Sequence, residues 1–363
     1  MSLTCKDLVR DIRQAHPVTN SLLLRFEICC LEVQANSTKL LAVLGRYFDG
    51  FVTGGTKPDI VITAHEAAPP PLECSFAIKQ PDPGKTKIKE EFCNLEDGRI
   101  VRKRLTGMVF IFGQGQHLTV GPCLENANQV INFINNRFIE YHLNQGSFLT
   151  HAAAVMQNAR GLALAGFSGM GKSTLALHLM SRGATFVSND RLMIHANGKA
   201  LQMTGVAKLP RINPGTALNN PDLNRVIPQD EQKWFATLEG EELWDLEYKY
   251  DVFIDECFGD KRFVLSGPMD CLVILNWQRN NSRMQIRQVN PAERQDLLPA
   301  FMKATGLFFL PNGSRPHKDP SIGEYTELLS GCSIFEISGG VDFKAAADAC
   351  LTFLANGKMP VTE

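Results

Sequence analysis

Gly166-Phe167-Ser168-Gly169-Met170-Gly171-Lys172-Ser173-Thr174 places one glycine, four free positions and then Gly-Lys-Ser in the spacing of a phosphate-binding loop. Gly166, Gly169 and Gly171 let the backbone wrap closely, so that successive N–H groups point at phosphate oxygens. Lys172 is expected to reach the β- and γ-phosphates, and Ser173 to ligate Mg²⁺. The helix that follows turns its positive N-terminal end toward the same anion. A second GKT, Gly84-Lys85-Thr86, is a decoy. Lys79 stands where its first glycine is needed, and Pro81 and Pro83 fall inside the would-be loop.

The flanks agree with that reading. Two apolar runs, Leu149 to Met156 and Gly161 to Ala165, are separated only by Gln157, Asn158, Ala159 and Arg160. A connection so short joins antiparallel strands, so a β-hairpin should feed the loop. A helix is expected from about Lys172 to Ser181, stopped by Gly183. The strand Thr185 to Ser188 then runs into Asn189 and Asp190, and is expected to lie beside the loop's own strand. Asp190 is the candidate ligand for Mg²⁺ or its water. Asp255 and Glu256, after Val252-Phe253-Ile254, have the same apolar-then-acidic form, but read better as a solvated turn. His151 opens the strand before the hairpin. Residues 220–262 are polar, carry Trp234 and Trp244, and read as an insertion. Cys271 to Trp277 is a buried strand, and Val341 to Leu354 a closing amphipathic helix.

Upstream, Leu22, Leu24, Phe26, Ile28 and Cys30 alternate with Arg25 and Glu27 as one half-buried strand would. Asn36 and Ser37 offer an N-cap before Leu40, Leu41, Val43 and Leu44. Asp59 to Ala64 is a short β-rich run, and 80–97 an exposed loop rich in Pro, Gly and charge. Met108 to Phe112 and His117 to Val120 pair through Gly113-Gln114-Gly115. A long helical pattern occupies Glu125 to Leu143. The boundary is expected near Asn144 to Gly146, giving domains 1–146 and 147–363. The basic residues Arg99, Arg102, Lys103 and Arg104 read as a solvated strand face, since no aromatic stacking pattern accompanies them.

The chain has 363 residues, a formal net charge of -1 and 44% hydrophobic residues. This is globular composition for about two domains, with no obligatory nucleic acid or anionic membrane partner. The ten cysteines form no CxxC or Cys/His metal spacing and read as reduced thiols of a cytoplasmic protein. The first residues, MSLTCKDLVRDIRQ, read as an amphipathic helix, not a signal peptide. No apolar run approaches the roughly 20 residues of a membrane span.

The order of features resembles the HPr kinase/phosphorylase family, and beyond it the phosphoenolpyruvate carboxykinase-type P-loop. It runs from His151 in HAAAV, through the hairpin and GFSGMGKST, to Ser181-Arg182-Gly183 and Val187-Ser188-Asn189-Asp190-Arg191. The likeness covers about 148–196, more weakly Lys208-Leu209-Pro210-Arg211, and is greatest to the HPr-kinase-related kinases. It implies an α/β fold: a P-loop domain with a mixed sheet, preceded by a smaller α/β domain. It implies that His151 lies near the phosphates, and that members' oligomerisation extends to this chain. Asp190 matches the second of two adjacent family aspartates. Asn189 stands at the first, the family's base for the attacking hydroxyl, and an amide cannot accept that proton. Arg211 is the candidate to neutralise the transferring phosphate.

The expected function is therefore Mg²⁺-dependent phosphoryl transfer from ATP, with GTP left open, to a hydroxyl on a protein serine or a small molecule. His151, Lys172, Asp190 and Arg211 are the expected catalytic groups, with Ser173 and Asp190 holding the metal. The alternative is a nucleotide-dependent binding or scaffold protein of little activity. A motor or transporter ATPase ranks last, for want of an LSGGQ-like signature.

Overall fold

At Asn158 and Ala159 the backbone turns through two consecutive left-handed residues, φ 52° and 59°. That two-residue turn matches the right-handed twist of the strands it joins. In the computed structural model, which describes residues 3–81, 86–198, 200–238, 242, 246, 248–312 and 318–362, it closes an antiparallel hairpin with Gln157 opposite Arg160. The fold is mixed α/β with several sheets, and the chain divides into two compact units. One comprises Met1–Asn144 with Thr305–His317, the other Gln145–Ala304 with Lys318–Glu363. The sequence-derived boundary at 146 lies beside the first division. The return of Thr305–His317 to the first unit carries no sequence signal. Trp244 of the expected insertion, and Gly84 and Lys85 of the decoy, lie outside the described residues.

The first unit is built on an eight-stranded sheet. Its strands are β1 (Asn20–Phe26), β2 (Cys29–Ala35), β3 (Ile60–Glu66), β4 (Ala77–Ile78), β5 (Glu90–Leu95), β6 (Gly98–Lys103), β7 (Val109–Gly113) and β8 (Gln116–Gly121), in the order β1-β2-β3-β8-β7-β6-β5-β4. β7 is apolar throughout because both faces are covered. Val109 and Ile111 meet Cys5, Val9 and Ile12 of helix α1 (Cys5–Ala15), while Phe110 and Phe112 meet Phe133 of helix α3 (Ala127–Leu143). Helix α2 (Thr38–Tyr47) starts at Ser37, whose hydroxyl accepts the Leu40 N–H.

Three expectations change here. The alternation Leu22 to Cys30 is two strands, turned at Glu27 (φ 54°), and this leaves Ile28 71% exposed. A period of two cannot tell a strand from a hairpin whose tip keeps register. The loop expected at 80–97 contains β5. Its Glu90 and Glu91 pair with Lys103 and Arg102 of β6, so the basic residues face an acidic strand as well as water.

His65 sets a pH response in this unit. It is fully buried, its Nδ1 faces the His16 carbonyl at 2.9 Å, and burial pushes its pKa down to about 4. The unfolded chain, with a histidine pKa near 6.5, binds the proton first. Stability held above about pH 6.5 is thus lost as pH falls toward 4. The thermal midpoint should drop across that window, and His65→Gln should flatten the drop.

The second unit holds a six-stranded sheet of β10 (Ala153–Gln157), β11 (Arg160–Gly166), β12 (Thr185–Ser188), β18 (Cys271–Leu275), β19 (Gln285–Gln288) and β20 (Ser333–Ser338), in the order β12-β10-β11-β18-β20-β19. A four-stranded sheet comprises β9 (Phe148–Thr150), β13 (Leu192–Asn197), β14 (Ala200–Thr204) and β17 (Ser266–Pro268), and a small ribbon β15 (Arg211–Ile212) and β16 (Tyr250–Asp251). Helix α4 (Lys172–Met180) and the helix Phe343–Asn356 pack together beside β10 and β11. Ala163, Ala165, Leu272 and Ile274 of the larger sheet join Ile194 and Met203 of the smaller one in a single core. Among the described residues, no helix is long and apolar enough to cross a membrane.

The run expected as one strand, Leu149 to Met156, breaks at His151-Ala152. β9 pairs with β13 in the small sheet, whereas β10 pairs with β11 and β12 in the large one. The strand before Asp190 is not the loop strand's neighbour. β10 occupies that side of β11, and the parallel neighbour is β18. A hairpin partner is delivered to the edge of β11 by a two-residue turn, before any later strand can reach it. The run Val252 to Glu256 ends in a short helix, Ile254–Phe258.

Candidate active site

Between β11 and α4 the chain makes its glycine-rich turn. Gly169 and Gly171 have φ of 84° and 81°, and a Cβ on Gly171 would come within 2.5 Å of the Phe343 ring. Both positions favour glycine for conformation, and Gly171 needs it for space as well. The first helical bond here runs from Leu175 N–H to the Gly171 carbonyl, and no side chain caps the helix. The amides of Lys172, Ser173 and Thr174 precede that bond and are left for a ligand.

Lys172 is buried. Its ammonium donates to the Gly166 carbonyl at 2.6 Å and the Phe167 carbonyl at 3.3 Å, which closes the loop on itself. Burial lowers its pKa, and Asp190 works in the opposite direction. Trp277, just past the end of β18, donates its indole N–H to the Met170 carbonyl at 2.9 Å. The Trp277 ring meets Phe343 edge-on, so two side chains brace the loop from outside. Thr174 Oγ1 lies 3.2 Å from Thr216 Oγ1 on the short helix Pro214–Leu218.

The loop opens on a cleft of about 1360 Å³. Its wall carries Ser168 to Thr174, His151, Asn189, Asp190, Lys208 and Arg211. Gly166 and Phe167 lie off that wall and contribute the carbonyls that hold Lys172.

His151 and Asp190 meet because both sit where the chain leaves one sheet for the other. Thr150 pairs with Leu192 in the small sheet and Ala154 with Ser188 in the large one, so the segments between them face each other across the split. The Thr150 hydroxyl donates to the Leu192 carbonyl, and the His151 N–H to the Phe301 carbonyl at 2.7 Å. His151 Nδ1 then lies 2.9 Å from Asp190 Oδ1. Burial alone would raise the Asp190 pKa. The close approach of His151, with the charges of Lys303 and Arg191, overrides it and holds the carboxyl well below its ordinary range. Arg191 Nε is 3.9 Å from the second oxygen, Oδ2. The Asn189 side-chain oxygen is buried without a hydrogen bond among the described residues, as is that of Asn213.

Arg211, on β15, is exposed and pairs with Asp251 at 3.3 Å. Asp255 and Glu256 are not on the cleft wall. Among the described residues no group of three or more His, Cys, Asp or Glu could hold a metal on its own. Ser173 and Asp190 are therefore a fit only for a cation that brings oxygens of its own, as Mg²⁺ on a phosphate does.

Sequence reasoning missed Lys208, Trp277 and Phe343. Trp277 had a usable signal, since an apolar run ending in polar and aromatic residues marks the carboxyl end of a sheet strand, where α/β ligands bind. Phe343 had none, because its role depends on a contact across more than 170 residues of chain.

No family model matches the chain, and no curated protein matches it. Among solved structures it is similar to the HPr(Ser) kinase/phosphatase from Coxiella burnetii, at 13% identity and a TM-score of 0.31, over 58% of this chain and 89% of that one. A likeness of that size carries no argument about the chemistry of the cleft.

Proposed function

We propose that the cleft binds a nucleoside triphosphate with Mg²⁺ and transfers its terminal phosphoryl group to a hydroxyl acceptor. The observation that carries this reading is the shared wall: the glycine-rich loop, Lys172 and the His151–Asp190 pair all face one cleft. The amides of the loop and of the first turn of α4 receive the phosphate oxygens. Asp190 Oδ2 and the Ser173 hydroxyl are the oxygens that would hold Mg²⁺, which when bound neutralises charge on the phosphates. Asp190 Oδ1 orients the His151 ring through Nδ1 and leaves Nε2 as the nitrogen able to take a proton from the acceptor. Arg211, also on the cleft wall, supplies positive charge. Positioning and electrostatics do most of the work in such a reaction. Binding of a fluorescent ATP analogue with Mg²⁺, displaced by ATP and not by AMP, is the expected result. No binding at millimolar nucleotide would sink the proposal.

A second reading, a nucleotide-dependent binding protein with little turnover, is favoured by Asn189. Its buried, unbonded amide oxygen stands where a carboxylate would be a base. Asn189→Asp separates the two. If His151 is the base, the variant transfers phosphoryl groups at about the wild-type rate or below. A gain of ten-fold or more, measured with γ-labelled ATP and an extract of the host, would show that the wild type lacks a working base.

A further inference from the structure

We infer that Lys208, with Arg211 beside it, forms an anion subsite in this cleft that reads a phosphate or carboxylate group on a small-molecule acceptor. The inference rests on the phosphoryl-transfer reading and adds the class of acceptor to it. Three observations carry it.

The first is space. A pocket for one ligand typically encloses roughly 300–1,000 Å³, and this cleft, at about 1360 Å³, has room for a second molecule beside a nucleotide. The second is an unmet charge. The Lys208 ammonium has no hydrogen-bond or ion-pair partner among the described residues, although the residue is half-buried. Both nearby carboxylates are engaged: Asp190 by His151 at 2.9 Å and Asp251 by Arg211 at 3.3 Å. The third is like charge. Arg191 and Arg211 act on Lys208 in the same direction as burial, and its pKa is pushed down to about 8, with Asp190 and Asp251 only partly opposing.

A part-buried ammonium beside two guanidinium groups, whose nearby carboxylates are already engaged, is stabilised when an anion joins it. The backbone holds it there, because the Lys208 N–H closes a tight turn onto the Val206 carbonyl at 2.7 Å. Lys172, also on this wall, has its ammonium engaged by loop carbonyls and serves the triphosphate. Lys208 is free to read a different group. An anion on the acceptor would neutralise the cluster and fix the acceptor by one end, leaving its hydroxyl to reach His151.

The test is calorimetric titration of the full chain, with the triphosphate position filled by saturating Mg²⁺–AMP-PNP and, in parallel, without nucleotide. Glycerol 3-phosphate is the phosphate probe, malate the carboxylate probe, and glycerol the uncharged control. At least one anion should bind while glycerol does not. Lys208→Met should weaken that anion at least tenfold, about 1.4 kcal/mol. Lys208→Arg should stay within about threefold of wild type, and nucleotide affinity and thermal midpoint should be unchanged in both variants. The inference is overturned if Lys208→Met binds the anions as wild type does, or if wild type takes the nucleotide but neither anion. If the anions bind through Lys208 and the nucleotide does not bind at all, the phosphoryl-transfer reading falls and the subsite stands.

Discussion

On the proposed phosphoryl-transfer function, Lys172→Met is expected to lower kcat about 10²–10³-fold, roughly 3–4 kcal/mol of transition-state stabilisation by comparison with losing a preorganised donor elsewhere. The ammonium is held in a dry position by two loop carbonyls, so little solvent reorganisation opposes its use. It is also a structural tie for the loop, and two outcomes must be told apart. Loss of the tie alone weakens nucleotide binding and leaves kcat at saturation. Loss of charge stabilisation lowers kcat even where the nucleotide still binds. Single-turnover rates at saturating Mg²⁺–ATP decide between them, and an unchanged rate would remove Lys172 from the chemistry. Lys172→Arg should rescue poorly, because a planar guanidinium cannot occupy a pocket shaped for a tetrahedral ammonium.

The second large effect is on stability. Arg137 has no exposed side chain, and both terminal nitrogens of its guanidinium are engaged, while Nε has no hydrogen-bond partner among the described residues. It pairs with Glu140 at 2.8 Å, donates to the Phe308 carbonyl, and lies over the Phe112 and Phe133 rings with its Cζ at 4.3 and 5.1 Å from their centroids. Glu140 in turn accepts the Leu310 N–H at 3.2 Å, and Arg99 donates to the Leu307 carbonyl at 2.7 Å. This network fastens the return segment, from Thr305 onward, into the first unit. Arg137→Met leaves a buried carboxylate and an unmet carbonyl, and should cost about 3–5 kcal/mol. For a unit of this size that is a fall of roughly 6–20 °C in Tm. The double variant Arg137→Met, Glu140→Met should recover part of the loss, since both charged partners are then gone. If the double is as unstable as the sum of the singles, the pair is not coupled and the assignment fails.

Local features were legible because their causes are local. The glycine spacing, the two-residue turn at Asn158-Ala159, the Ser37 cap and the ends of α4 each follow from a few neighbouring residues. Harder were features with the right period and the wrong extent. β1 and β2 share one alternation, and only the exposure of Ile28 reveals the turn. Glu90 to Leu95 is too polar to read as a strand until Arg102 and Lys103 stand opposite its glutamates. Lys208 had no signal beyond its place in the weakly similar stretch Lys208-Leu209-Pro210-Arg211. A lysine in a Val-Ala-Lys-Leu-Pro run looks like any surface lysine until the fold encloses it.

By itself the sequence determined the phosphate-binding spacing of Gly166–Thr174 and the hairpin that leads into it. Both are set by backbone conformations that glycine and short turns allow, within a dozen residues. The tertiary structure alone decided that His151 and Asp190 face each other at 2.9 Å. They are brought together where two sheets part, and that split depends on which of β9, β10, β12 and β13 find partners in which sheet. Pairing of that kind is settled by burial across the whole unit, through Ala163 and Leu272 on one sheet and Ile194 and Met203 on the other. No short stretch of sequence contains that competition, so no short stretch could announce its result.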